Sequence, residues 1–311
     1  MKAIDIVKQY YIQYVEPMLE SEFKDKKSRI CVGLVGEGSE CFKFDDDISA
    51  DHDYFLDVCL FLTKEDYESF GFKLERAYSK LPKEFMGLRR AVLSPVGGNR
   101  RGVVTIEDFY AKFLGNNFDF NNNLAWLYTP SNSFATATNG EVFIDQLGEF
   151  SKIRNILKNG YPEDVRLKKL AYHTILMAQS GQYNYKRCVL RNENGAGGLA
   201  LYEFIKNAIS TVFLLNNQYE PYYKWAYRKM RELPILPELE QVLTGLCEFE
   251  NSGKFAEQKQ EIIEDVSSLL IEEFKRQKIT SATCQNLETH AYSILDKIKD
   301  ANLRNLHIME G

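Results

Sequence analysis

Two apolar runs, "ICVGLVG" at residues 30–36 and "YFLDVCLFL" at 54–62, constrain this fold more than any other part of the chain. Each is short, apolar on successive residues and bounded by turn-forming or acidic residues, the pattern of strands covered on both faces. A helix is expected before them, because Ile4, Val7, Tyr11 and Val15 recur at helical spacing within residues 1–20. Another is expected after them, from Thr63 to Leu81, with Thr63 as N-cap, Asp66 three residues on, and Pro82 past the end. The pieces "RRAVLSPV" and "RGVVTI", separated by the turn signal "GGN", and then "GEVFID", add further extended chain. Together these predict a mixed α/β unit over residues 1–160 with a small sheet of about four or five strands.

From Pro162 onward the pattern becomes helical almost without interruption. Helices are predicted at 162–181, 198–216, 222–232, 237–252, 255–278 and 281–300. Ile262, Val266, Leu269, Leu270 and Phe274 form the apolar stripe that a bundle helix needs, and Leu199, Tyr202, Ile205, Ile209 and Phe213 read as another core stripe. The expected class is therefore α+β, with a mixed-sheet domain at 1–160 and an all-α bundle at 161–311.

Composition narrows the function classes. A net charge of −5 offers no overall attraction to a polyanion, so long nucleic acid is disfavoured relative to a small molecule or a protein. Runs such as "AISTVFLL" fall short of the roughly 20 apolar residues that span a bilayer, and Asp5, Gln9 and Gln13 interrupt any signal-peptide core, so no membrane segment and a cytoplasmic location are expected. The six cysteines, at 31, 41, 59, 188, 247 and 284, lack the spacing of a zinc site and read as free thiols.

Chemistry concentrates between the two apolar runs. Gly36, Gly38 and Ser39 follow the first, where glycines let backbone N–H groups approach a phosphate and a serine hydroxyl can donate to it. Asp51 and Asp53 precede the second at i, i+2. If the strand begins there, both carboxylates emerge on one face, about 7 Å apart at Cα, and His52 points to the other. Such a pair can share hard cations such as Mg²⁺, which is usually held by one or two carboxylates together with substrate phosphates.

The order strand, Gly-Ser, spacer, Asp-x-Asp, strand resembles the signature of the DNA polymerase beta-like nucleotidyltransferase superfamily. "GEGSECFKFDDDISADHDYF", "GEVFIDQLGEFSKIRNIL", "YPEDVRLKKLA" and "FLLNNQYEPYYKW" extend the likeness to a bacterial nucleotidyltransferase-like family of unassigned function. The resemblance implies an architecture similar to that of aminoglycoside and lincosamide nucleotidyltransferases. It also implies Mg²⁺-dependent transfer of a nucleoside monophosphate, AMP from ATP, to a hydroxyl of a small-molecule acceptor. In that scheme Asp51 and Asp53 hold the metals, Gly38 and Ser39 the phosphates, and Lys224, amid the aromatics of "YEPYYKW", neutralises the leaving group. Arg191, with Arg187, is a further candidate for phosphate contact.

Active members of the superfamily add a third carboxylate from a neighbouring strand. Glu107 and Asp145 are the candidates here, and neither is distinguished by sequence. Glu107 reads equally as an acid of a helix N-terminus. Two other readings stay open: transfer to a protein or tRNA, and a degenerate protein that binds nucleotide without turnover. Arg89, Arg90, Arg100 and Arg101 read as solvated strand ends, and His173, His290 and His307 have no spaced partners.

Overall fold

The computed structural model describes residues 1–48, 55–90 and 101–311. It is an α+β protein whose chain divides into two compact units, residues 1–118 with 133–159, and residues 119–132 with 160–311. The first unit is built on a four-stranded sheet: β1 (Cys31–Leu34), β2 (Cys59–Leu62), β5 (Gly102–Thr105) and β6 (Glu141–Ile144), ordered β5-β2-β1-β6. The short pair β3 (Glu84–Phe85) and β4 (Leu88–Arg89) forms a separate hairpin. The two apolar runs lie side by side at its centre: β1 pairs antiparallel with β2, Val32 opposite Leu60, and both strands are buried throughout.

Parallel pairing of β2 with β5, Cys59 beside Gly102 and Leu62 beside Thr105, requires a crossover, and a helix supplies it. Its first turn, Lys64–Asp66, passes through a π-helical segment, Tyr67–Gly71, into Phe72–Ser79. Thr63 caps it as expected: its hydroxyl accepts from Asp66 N at 3.2 Å and donates to the Asp66 carboxylate at 2.8 Å. The N-terminal helical stretch, from Ala3–Tyr10 through Tyr11–Val15 to Glu16–Glu22, buries Ile4, Val7, Tyr11 and Val15 against the sheet residues Val32, Leu34, Leu60 and Leu62. The expected "GGN" turn lies outside the described residues. What followed it as "RGVVTI" pairs with β2 rather than being seen in a hairpin.

The second unit is helical. A continuous helix runs through Glu163–Met177, a π-helical stretch Ala178–Tyr185 and Lys186–Leu190, and packs on Asn194–Leu215 and Leu287–Leu295. The Asn194–Leu215 helix is, among the described residues, the one long and apolar enough to span a bilayer by length and composition. Its buried share of 61% is that of a bundle core helix. The expected stripe on it holds only in part. Ile205, Ile209 and Phe213 are buried, whereas Leu199 and Tyr202 are 76% and 56% exposed. The final predicted helix, 281–300, shortens to Leu287–Leu295 because Asn286 caps its start, its side chain accepting from Thr289 N.

Residues 119–132 depart from the expected boundary. They contain the helix Asn123–Tyr128, which packs on Glu163–Met177. Trp126 and Leu127 are buried there, and the Leu127 carbonyl accepts from Lys169 Nζ at 2.7 Å.

Candidate functional site

Strand direction places the Gly-Ser turn. Because Leu34 ends β1 on the side where β2 begins, residues 35–39 emerge at the same end of the sheet as the segment Phe55–Val58 that leads into β2. Gly38 has φ of +116°, and a Cβ there would meet the Glu40 carboxylate at 2.4 Å, so the turn demands glycine at this position. Ser39 is 1% exposed, and its hydroxyl has no hydrogen-bond partner among the described residues. A buried donor without a partner is costly, and at a glycine-rich turn it suits an oxygen of an anion.

One guanidinium ties this end together. Arg101, the residue before β5, donates from Nη2 to the Glu37 carbonyl at 3.1 Å and to the Glu40 carboxylate, and from Nη1 to the Asp57 carbonyl at 3.4 Å. Its side chain is 9% exposed and that of Glu40 is fully buried. The expectation of a solvated strand end is therefore wrong for Arg101. It also fails for Arg90, which stacks 3.8 Å from the Tyr78 ring and lies 3.7 Å from Asp57. Both arginines looked like surface charge in sequence because their carboxylate partners lie some 30 to 60 residues away.

The Gly-Ser end is closed from behind by β6. Asn139 exchanges two hydrogen bonds with the backbone of Gly36, at 2.8 and 2.6 Å, and Gly140 N donates to the Cys41 carbonyl at 2.7 Å. A Cβ on Gly140 would sit 2.0 Å from the Leu34 carbonyl, so only glycine lets the two backbones approach. Arg154 is buried nearby, donating from Nη2 to the Gly140 carbonyl at 3.0 Å while its Nη1 has no partner among the described residues. Cys41 and Cys59 are free and buried; burial pushes both thiols up, Cys59 to about 11, so neither is a nucleophile at neutral pH.

Asp51, His52 and Asp53 lie outside the described residues. The two candidates for a third carboxylate do not share the end of the sheet that holds the Gly-Ser turn. Glu107 follows β5 and Asp145 follows β6, and both strands end beside the start of β1. Three strand steps, about 10 Å, separate that end from the Gly-Ser end before either loop is counted. Each acid also has local work. Glu107 lies in the first turn of the helix Ile106–Leu114, capped by Thr105. Asp145 accepts from Gly148 N and Ser151 N, at 2.9 and 2.8 Å, at the start of Glu149–Lys158. Among the described residues no group of three His, Cys, Asp or Glu side chains stands together to hold a metal ion.

In the helical unit, Lys224 lies on the first turn of the helix Tyr223–Met230, exposed, with Nζ 4.7 Å from the Trp225 ring. Arg191 ends the Lys186–Leu190 helix and is exposed. Sequence reading passed over a third group there, a buried polar cluster. His173 bonds Asn207, Ser210 donates to the Glu220 carboxylate, Glu220 N donates to Ser131 Oγ at 2.8 Å, and Lys169 lies 5.5 Å from the Tyr161 ring. Its signal was legible as polar residues at i, i+4 and i+7, Glu203, Asn207 and Ser210, within the apolar run of Asn194–Leu215.

Residues 126–226 match the model of a domain of unknown function, DUF4037. The matched segment begins with Trp126, spans the end of the first unit and ends on the Tyr223–Met230 helix, so it contains this polar cluster together with Lys224 and Arg191. No curated protein and no solved structure matches the chain.

Proposed function

We propose that this chain is a cytoplasmic Mg²⁺-dependent nucleotidyltransferase that moves AMP from ATP to a hydroxyl of a small-molecule acceptor. The observation that carries the reading is the double grip of Arg101, which fastens the Gly-Ser turn to the lead into β2, the strand preceded in sequence by Asp51 and Asp53. Phosphate-binding and metal-binding segments that must serve one triphosphate need a fixed relation, and a buried arginine bonded to both backbones supports one. In this scheme the Gly38 N–H and the Ser39 hydroxyl take phosphate oxygens, and Asp51 and Asp53 hold Mg²⁺. When bound, Mg²⁺ neutralises the charge of the triphosphate.

Replacing Asp51 and Asp53 together by Asn is expected to abolish Mg²⁺-dependent ATP binding, measured by calorimetry, with the far-UV spectrum unchanged. Unaltered affinity in D51N/D53N refutes the assignment.

A second reading, binding of nucleotide without turnover, is favoured by the placement of Glu107 and Asp145 and by the sequence from Arg89 to Thr105, which contains no Asp or Glu. Pyrophosphate release from ATP with a panel of hydroxyl acceptors separates the two. Label entering macromolecules of a lysate from labelled ATP would instead move the acceptor to protein or tRNA.

A further inference from the structure

The helix Ile106–Leu114 starts after β5, at the end of the sheet away from the Gly-Ser turn, and runs back toward that turn. From Ile106 to Lys112 it rises about 9 Å, close to the roughly 10 Å that separates the two ends. Its arrival is fixed by contacts. A Cβ placed on Gly36 would meet the Phe109 ring at 3.2 Å and the Phe113 ring at 3.9 Å, and Lys112 Nζ lies 2.7 Å from the Glu37 carboxylate. The helix that leaves Glu107 at one end therefore brings a lysine to the other.

The turn itself is held from two sides. Asn139 grips the Gly36 backbone through two hydrogen bonds, and Arg101 donates to the Glu37 carbonyl at 3.1 Å. Just past these anchors the N–H groups of Gly38 and Ser39 reach no acceptor among the described residues, and neither does the Ser39 hydroxyl. Three neighbouring donors left in this way suit the oxygens of an anion. Charge then decides which cation meets it. Arg101 is buried and committed to Glu40, whose side chain is fully buried as well. Lys112 and Glu37 keep 45% and 36% of their side chains exposed, so water weakens their pair. A phosphate at the turn carries more charge than one carboxylate and can draw the ammonium away from Glu37.

We propose that Lys112 is the cation of the phosphate site at the Gly-Ser turn, and that Glu37 occupies it until a polyphosphate chain, as carried by a nucleoside triphosphate, displaces the carboxylate. The inference rests on the reading of this turn as a phosphate site, but not on Asp51, Asp53 or Mg²⁺, so it is tested without metal. The full chain should bind inorganic tripolyphosphate in metal-free buffer, measured by calorimetry. K112M should bind it about tenfold more weakly, one charge-assisted hydrogen bond being lost. K112R, which keeps the charge, should retain most of the affinity. E37Q removes the competitor and should bind about threefold more tightly. A merely structural ion pair predicts the reverse for E37Q, since losing either partner would then loosen the turn alike. No binding by wild type, equal affinity in K112M, or weaker binding in E37Q would overturn the proposal. Loss of Mg²⁺-ATP binding in D51N/D53N bears on nucleotidyl transfer alone, because neither aspartate enters the tripolyphosphate measurement.

Discussion

Replacing Arg101 by Met tests the buried clamp directly. The change keeps a flexible apolar stem but removes the guanidinium that pairs with the fully buried Glu40 carboxylate and donates to the Glu37 and Asp57 carbonyls. Removing one partner of a buried pair costs about 3–5 kcal/mol, because the remaining charge stays desolvated. The two carbonyls add about 1 kcal/mol each where water does not replace the lost bonds. R101M should therefore lose at least about 3 kcal/mol in urea unfolding followed by circular dichroism. The double variant E40L/R101M removes the carboxylate as well and should recover more than half of that loss, since an apolar replacement of a buried pair is often close to neutral. Two outcomes refute the reasoning: R101M within about 1 kcal/mol of wild type, the range of an exposed pair, or E40L/R101M no more stable than R101M. The same variant bears on function, because freeing the turn from the lead into β2 should weaken Mg²⁺-ATP binding even in protein that remains folded.

Gly38→Ala should cost about 1–2 kcal/mol from its left-handed backbone alone, with more from the Glu40 carboxylate against which the new Cβ would press. A melt unchanged from wild type would show that the turn adapts. In the helical unit, burial lowers Lys169 from 10.5 to about 8, so the folded state binds its proton less tightly than the unfolded chain. The penalty is then full below pH 8, about 3 kcal/mol at 1.36 kcal/mol per pKa unit, and is relieved as pH rises from 8 to 10.5. K169M should consequently be more stable than wild type at pH 7 by about 1–2 kcal/mol after loss of the Leu127 bond, with the difference shrinking in unfolding measured at pH 10. A less stable K169M at pH 7 would contradict this.

Local pattern was enough for the elements with strong, short-range signals. The two apolar runs each yielded a four-residue central strand, Cys31–Leu34 and Cys59–Leu62, the second starting later than expected because Leu56–Val58 lead into it rather than belong to it. Thr63 capped its helix through Asp66, and the change at Gly160 marks where the helical unit resumes. What sequence did not reveal depends on pairing over distance. Arg101 looks like surface charge until Glu40 and Asp57 are brought to it by the register of three strands. Glu107 and Asp145 looked equivalent to a site ligand because chain order does not say which end of a strand a loop leaves from. Antiparallel β6 and parallel β5 both deliver their acids to the far end. Leu199 and Tyr202 had the spacing of core but lie on the exposed side of a stretch whose buried residues are Gly197, Leu201 and Phe204.

The segment 119–132 has a practical meaning for anyone dividing this protein. The chain passes between its two units at residues 118, 132 and 159, so neither is a single stretch of sequence. A fragment starting at Gly160 would expose the groove that Trp126 and Leu127 fill and would strand Lys169, whose ammonium loses the carbonyl it bonds. One ending at Asn159 would carry the helix Asn123–Tyr128 with its apolar side uncovered. Such halves should aggregate when made separately and gain solubility when co-expressed, and a protease cutting near Gly160 should leave two pieces that still travel together.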